Sequence, residues 1–434
     1  MERVPVAIVG AGACGLVAAL TLKDAGVECV VLERDALPSG STALSSGFIP
    51  ACGTRWQKAL GVEDSAALFG ADIRKKNRAG ANSEVVNATV SAIGATLEWL
   101  ADVHGIPFHV LEGFLYPGHS VARMHAVPEK TGAGLMGRLL AAVQRKGIDL
   151  MTEARVIEVQ SDSSRTVTGI SIARPDGSTE EIGCDALLLA CNGFGGDREM
   201  VRRYIPEIAD AEYAGHGGNQ GDAVRWGAAL GAQLADMGAY QGHGAWAVPH
   251  GKLLTWALMT EGGIQVNALG RRFADERQGY SEASQSVLAQ PGRIAWSIYD
   301  ARLHQLGLTF PDYVELNAAG ALRSAANVEE LARNISVPAD EMKKTLLENP
   351  RLTPPYYAVK VTGALFHTQG GLDIDARARV LDTRGRRLPN LYAAGGAARG
   401  LSGAHVWGYL SGNGLLSAVA LGRIAGQALR ERRS

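Results

Sequence analysis

The sequence predicts an α/β protein organised around a Rossmann-like βαβ unit, and three observations carry that prediction. Residues 4–9 (VPVAIV) form a short apolar run that ends in Gly10-Ala-Gly12-Ala-Cys-Gly15, a GxGxxG pattern. LVAALTLKDAG follows with helical spacing and closes at Gly26. A second apolar run over 28–32 then ends in Glu33, 18 positions after Gly15. A lone GxGxxG is weak, but a strand before it, a helix opening from it and an acidic residue at that distance make it a dinucleotide signature. Gly10 permits the tight turn, Gly12 lets a pyrophosphate approach the backbone and the helix N-terminus, and Gly15 lets helix and strand pack closely. Glu33 is suited to ribose hydroxyls and repels a 2′-phosphate.

The remaining elements follow in order. Residues 38–53 (PSGSTALSSGFIPACG) are small and polar and read as a loop, and 62–104 read as helices with few breakers. An amphipathic helix is expected over 132–147. Strands are expected at 149–159, 167–174 and 179–183, with an Asp176-Gly177 turn, and a separate buried strand at 186–190. The stretch 193–279 holds 17 glycines and reads as loop and short helix around a site. Residues 296–349 carry helical patterns with acidic caps. Strands return at 356–363, in a hairpin over 379–387 and at 390–396. A final helix is expected over about 411–432, its basic end suiting the negative pole of the helix dipole.

Composition narrows the function classes. Glycine is 54 of 434 residues, about one in eight, against roughly 7% on average. With only 16 prolines, this points to backbone that must approach something closely, not to disorder. Lys+Arg number 43 and Asp+Glu 44, which argues against an electrostatic nucleic-acid or membrane-surface binder. The five cysteines are scattered without CxxC, so no disulfide framework, zinc ribbon or other metal site is expected. There is no basic leader and no run long enough to span a membrane, and the expected location is the cytoplasm.

The βαβ motif does not separate FAD from NAD, but the C-terminal segment does. NLYAAGG, a glycine loop and then SGNGLLSAVALGRIAG repeat the strand–glycine–helix theme over the last 45 residues. Such a late element suits a long cofactor held at its far end, which favours FAD. With these segments in hand, the chain resembles the flavoproteins of the fumarate reductase and 3-ketosteroid 1-dehydrogenase type. The resemblance rests on 6–20 (VAIVGAGACGLVAAL), 40–49 (GSTALSSGFI), 187–196 (LLLACNGFGG), 219–237, 262–276 (GGIQVNALGRRFADE), 356–372 and 388–426. It implies a Rossmann-like, glutathione-reductase-type FAD-binding domain with an inserted α+β cap. The expected partition is 1–236 and 357–434 for the FAD domain and 237–356 for the cap.

The resemblance also implies site residues. Relatives with covalent flavin carry a histidine in the 40–47 loop. Here Ser41-Thr42 takes that place, so FAD is expected to be non-covalent. Expected cofactor contacts are Gly10, Gly12, Ala13, Cys14, Gly15, Glu33, Arg34, Ser41, Thr42, Ser45, Ser46, Gly47, Val156, Asn192, Gly193, Asp222, Gly395, Gly396, Gly412, Gly414 and Leu415. Fumarate reductases hold a dicarboxylate with two histidines and two arginines. The histidine positions match His243 and His367. The arginine positions, counted from Glu276 and back from Asn413, fall on Tyr280 and Tyr409. Arginine forks clamp carboxylates, whereas a tyrosine hydroxyl suits a carbonyl oxygen or a proton transfer to carbon.

The expected activity is therefore α,β-dehydrogenation of a ketone or cyclic keto acid. Tyr280 is the expected base, and Tyr409, with the amides at 411–415, the expected carbonyl binder or flavin-side donor. His243 and His367 either orient the substrate, tune the tyrosines or only pack. Trp246, Trp256 and Trp407 are candidates for an apolar pocket or for core, and Arg123 and Arg399 for substrate charge or for solvated surface. The alternatives are reduction of an enoate or enone, as in fumarate reductases, and a flavoprotein electron-transfer subunit. The substrate, the electron acceptor and the oligomeric state are not legible in the sequence.

Overall fold

The computed structural model describes residues 2–432. Two sheets organise it. In the first, Glu2–Val9 lies at the centre, parallel to Cys29–Leu32 on one side and to Thr179–Leu189 on the other. Asp149–Met151 and Arg387–Ala393 extend it in parallel at the two flanks. Val9, Leu32 and Leu189 are register partners, so the strands end level with one another. Towards their C-terminal ends the strands are buried and rich in Val, Leu and Ile, as parallel strands covered on both faces must be. Helix Ala13–Asp24 covers one face, and helix Asn413–Glu431 packs on it from the far end of the chain. Gly422 and Gly426 allow that approach, since a Cβ at Gly422 would meet Cys14 O at 2.5 Å.

The second sheet has seven strands, mostly antiparallel, with Tyr356–Thr368 as its spine. Tyr240–Ala247 and Ala295–Asp300 pair with that spine on either side. Helix Tyr280–Leu288 lies on the Tyr240–Ala247 strand, and Gly242 and Gly244 make room for it. A Cβ at either position would come within 2.1 Å of Ser284 Oγ or 2.6 Å of Ala283 Cβ. The two sheets carry separate buried cores.

Several expected elements differ. The 38–53 loop contains a one-turn helix, Gly40–Leu44, and a short strand, Ile49–Pro50. The expected strand at 149–159 is two strands, Asp149–Met151 in the parallel sheet and Arg155–Ser161 in an antiparallel pair. The expected strands at 179–183 and 186–190 are one continuous strand, Thr179–Leu189, because its two halves pair with different neighbours without a break. The 193–279 stretch, expected as loop, contributes the Tyr240–Ala247 strand. Residues 295–300 are strand where helix was expected, because they pair with the spine. That spine begins at the expected domain junction near 357 but runs to Thr368, entirely within the second sheet. Among the described residues no helix is long and apolar enough to cross a membrane, and no cluster of three or more His, Cys, Asp or Glu is arranged to hold a metal.

Candidate active site

One continuous cleft runs from the C-terminal ends of the parallel strands to the second sheet. Val9, Leu32 and Ala190 open it at the strand ends, the usual ligand position in such a sheet. This end is made largely of backbone. Gly10 has φ +107°, and a Cβ there would lie 2.6 Å from Ala190 O. A Cβ at Gly15 would lie 2.0 Å from Gly10 O. At Gly12, which lines the cleft and precedes the first helix, the nearest neighbour of such an atom is Thr42 Oγ1 at 3.5 Å. Gly12 offers no side-chain cap, and Thr42 Oγ1 instead accepts the Ala13 N–H at 3.0 Å. Glu33 is held by two amides, from Ala11 and Asp35, each at 3.0 Å. Ser41 Oγ accepts from Asn192 Nδ2 at 2.7 Å and from Asn219 Nδ2 at 3.0 Å. A glycine cradle, an open helix N-terminus and an anchored carboxylate at the strand edge fit the pyrophosphate and ribose of a dinucleotide.

Most of the expected cofactor contacts line this cleft: Gly10, Gly12, Ala13, Cys14, Glu33, Arg34, Ser41, Thr42, Ser45, Ser46, Gly47, Val156, Asn192, Asp222, Gly395, Gly396, Gly412, Gly414 and Leu415. Gly15 and Gly193 do not. Gly15 is pressed against Gly10, and Gly193 against Thr368, whose Oγ1 a Cβ would meet at 2.0 Å. Both are packing positions behind the wall.

The other end is made of side chains. Tyr280 and Tyr409, from distant parts of the chain, face each other with ring centroids 5.9 Å apart. His243 stacks on Tyr280 at 4.8 Å and 21°, and His367 stands edge-on to Tyr409 at 5.8 Å. Tyr280 opens its helix next to Gly279, so the phenol is set by the helix start and the glycines beneath it. His243 lies on the Tyr240–Ala247 strand and His367 on the spine, so both histidines come from the second sheet. His367 was expected from the nucleotide-binding side, but its strand extends five residues beyond the expected end at 363.

Burial dominates the electrostatics here. It pushes the Tyr280 phenol up to about 12, against the Ser411 and Tyr409 hydroxyls and the Gly412 amide, which favour the anion. It pushes Tyr409 well above the usual phenol range. It lowers His243 to about 3 and His367 to about 4, so both imidazoles are neutral at pH 7. Tyr409 Oη donates to Gln241 Oε1 at 3.0 Å, and His243 Nδ1 accepts the Ala245 N–H at 3.1 Å. The start of the C-terminal helix, through Ser411, Gly412 and Gly414, forms the adjoining wall.

The tertiary structure sorts the remaining candidates. Of the three tryptophans only Trp256 lines the cleft, 6.4 Å from Tyr280. Trp246 donates to Glu212 and Trp407 stacks on His405. Arg123 is neither solvated nor in the cleft. It is buried against Asp64, Asp72 and His119. Arg399 is held by Asp236 and Asp373. The arginines in the cleft wall are Arg34 and Arg155, both at the nucleotide end. Sequence reasoning missed Tyr116, Gln241, Ser411 and Asn219, all of which line the cleft. Ser411 sits inside a motif that was read. Tyr116 lies in an irregular segment with no local signal.

A family model described as an FAD binding domain matches residues 5–415. The chain is 28% identical over 446 residues to a probable fumarate reductase of Shewanella frigidimarina (strain NCIMB 400), covering 98% of this chain and 74% of that protein. It is 25% identical to a 4-oxocyclohexanecarboxylate 2-dehydrogenase of Sinomonas cyclohexanicum, covering 98% and 92%. Among solved structures it matches a 3-ketosteroid-Δ4-(5α)-dehydrogenase from Rhodococcus jostii RHA1, crystallised with 4-androstene-3,17-dione. That match has a TM-score of 0.78 and 25% identity, covering 99% and 97%. The family match spans nearly the whole chain and a glycine cradle that fits a dinucleotide lies inside it, so the chain belongs to the FAD binding domain family and is an FAD-dependent oxidoreductase acting on CH–CH groups.

Proposed function

We propose that the enzyme dehydrogenates the α,β carbons of a ketone, neutral cyclic ketones ahead of keto acids. The observation that carries this reading is the pair Tyr280 and Tyr409 in a cleft end whose wall holds no cation. A substrate carboxylate placed there would be a buried charge facing neutral histidines, at a cost of several kcal/mol. A carbonyl oxygen needs only a hydrogen-bond donor. Tyr409 and the amides at the start of the C-terminal helix supply that donor and polarise the ketone. Tyr280 takes the α-proton, its anion favoured by the Ser411 hydroxyl and the Gly412 amide. His243, stacked on Tyr280, holds the ring in place and adds no charge beside the phenol. Bound FAD supplies the acceptor for the β-hydride. Two similar proteins are named for cyclic ketones, a 4-oxocyclohexanecarboxylate 2-dehydrogenase, whose ketone also bears a carboxylate, and a 3-ketosteroid dehydrogenase, whose ketone is neutral.

The remaining expectations enter as parts of this proposal. FAD is held non-covalently, with Ser41-Thr42 in the loop position where related enzymes carry the linking histidine. Residues 237–356 act as the cap that excludes water from the tyrosines, as lids commonly do. The electron acceptor is unidentified.

A second reading, reduction of an enone, has one specific observation in its favour. A phenol pushed up to about 12 is protonated at pH 7, which is the form that donates a proton to carbon. Anaerobic mixing separates the two. Bleaching of oxidised flavin by saturated cyclic ketones supports dehydrogenation. Reaction of reduced flavin alone, and only with unsaturated compounds, overturns it. Unchanged bleaching in Tyr280→Phe removes Tyr280 as the base.

A further inference from the structure

We propose that Lys76 and Asn77, at the end of helix Ala66–Lys76, are positioning residues that set the spacing between Tyr280 and Tyr409. The inference rests on the reading of those two tyrosines as the reacting pair.

Helix Ala66–Lys76 belongs with the nucleotide-binding sheet, where Phe69 and Ile73 enter its core. Its last residue reaches the other core. Lys76 Nζ donates to Gln278 O at 2.6 Å and is paired with Glu282. These two partners stand two residues before and two residues after Tyr280, so one ammonium ties down both sides of the tyrosine. The pair is largely buried, with side-chain exposures of 13% and 17%. Gly279, with φ +124°, forms the turn between, and a Cβ there would lie 3.4 Å from Lys76 Nζ and 2.9 Å from Glu282 Oε2.

The next residue faces the other tyrosine. Asn77 Nδ2 donates to Leu401 O at 2.9 Å. A Cβ at Gly408, the residue before Tyr409, would lie 3.0 Å from Asn77 Cβ. Two consecutive residues therefore hold the segments that carry the two phenols, although Tyr280 and Tyr409 are 129 positions apart in the chain.

Lys76 suits the end of its own helix, whose last turn is basic, while its ammonium also lies at the start of the Tyr280–Leu288 helix, which has no side-chain cap and where a cation opposes the macrodipole. What its contacts with Gln278 and Glu282 add is a fixed position for the segment that carries Tyr280.

The test uses the FAD-loaded enzyme and Lys76→Met, which keeps length and removes charge. The expected result is a fall in kcat of about tenfold or more, with KM within about twofold, because displacement near 1 Å at reacting groups is felt in rate. Faster amide hydrogen exchange over 278–284 is expected with unchanged FAD content. Lys76→Arg restores part of kcat. Glu282→Gln, which leaves the Gln278 contact, gives a smaller loss. A kcat within twofold of wild type in Lys76→Met, or a loss carried by KM, overturns the proposal. The exchange measurement needs no turnover. If wild-type enzyme oxidises no ketone, the functional reading fails while the anchoring by Lys76 is still decided. Unchanged exchange over 278–284 overturns the anchoring by itself.

Discussion

The two ends of the cleft are built from different materials. At the nucleotide end the wall is backbone: glycines whose missing Cβ atoms leave space, amides that hold Glu33, and the start of the Ala13–Asp24 helix. At the other end the wall is aromatic and imidazole side chains, buried and uncharged, brought together from four separated stretches of chain. The comparison teaches where each kind of change should act. Substitutions at the first end should be felt as cofactor loss or misfolding. Those at the second should be felt as rate at constant cofactor content.

The largest effect expected on the nucleotide side comes from Gly15→Ala. Its Cβ would sit 2.0 Å from Gly10 O, and backbone on both sides must move. A destabilisation of about 3 kcal/mol with loss of bound FAD is expected, read from melting temperature and the flavin-to-protein absorbance ratio. FAD retained at wild-type stoichiometry would break the comparison at its first end. Tyr280→Phe should instead leave FAD content and melting temperature near wild type while lowering the ketone-dependent bleaching rate about 10²–10⁴-fold, the range of general acid–base catalysis.

The pH dependence sharpens the second end. The base form of Tyr280 is the anion, and its pKa is pushed up to about 12. The active fraction therefore grows about tenfold per pH unit at every pH below that value. Dehydrogenation should rise steadily from pH 6 to 10 without an imidazole step near 6.5, because His243 and His367 stay neutral through that range. A bell centred near neutrality would remove the assignment. Stability should respond in the opposite part of the scale. His119 and His125, lowered to about 4, join His243 and His367 as imidazoles whose folded pKa lies below the unfolded value. The unfolded chain then binds more protons than the folded one as pH falls from about 6.5 towards 4. The melting temperature should drop across that window and hold from its upper edge to about pH 8. The smallest effect is expected for Thr42→Ala, which removes the acceptor of the Ala13 N–H. FAD affinity should weaken by about 1 kcal/mol, measured by titration of apoprotein.

Legibility followed the same division. The first strand, the Ala13–Asp24 helix and the C-terminal helix were readable because glycine spacing and apolar periodicity are local signals. The 295–300 stretch was misread as helix because its strand state comes from pairing with residues 356–361, some 60 positions away. Tyr280 and Tyr409 were found only through motif positions. Tyr116, with no motif and no periodic element, was not found at all.

By itself, the sequence determined what short stretches of backbone can do: turn tightly at Gly10, open a helix at Gly12 and present an acid at Glu33. These depend on residue type and spacing within about thirty positions. Only the tertiary structure decided what the side chains are. It neutralised His243 and His367 by burial, locked Arg123 and Arg399 into ion pairs away from the cleft, and brought two phenols within 5.9 Å of each other. Charge state and proximity are properties of the environment that folding creates, and no single residue carries them in advance.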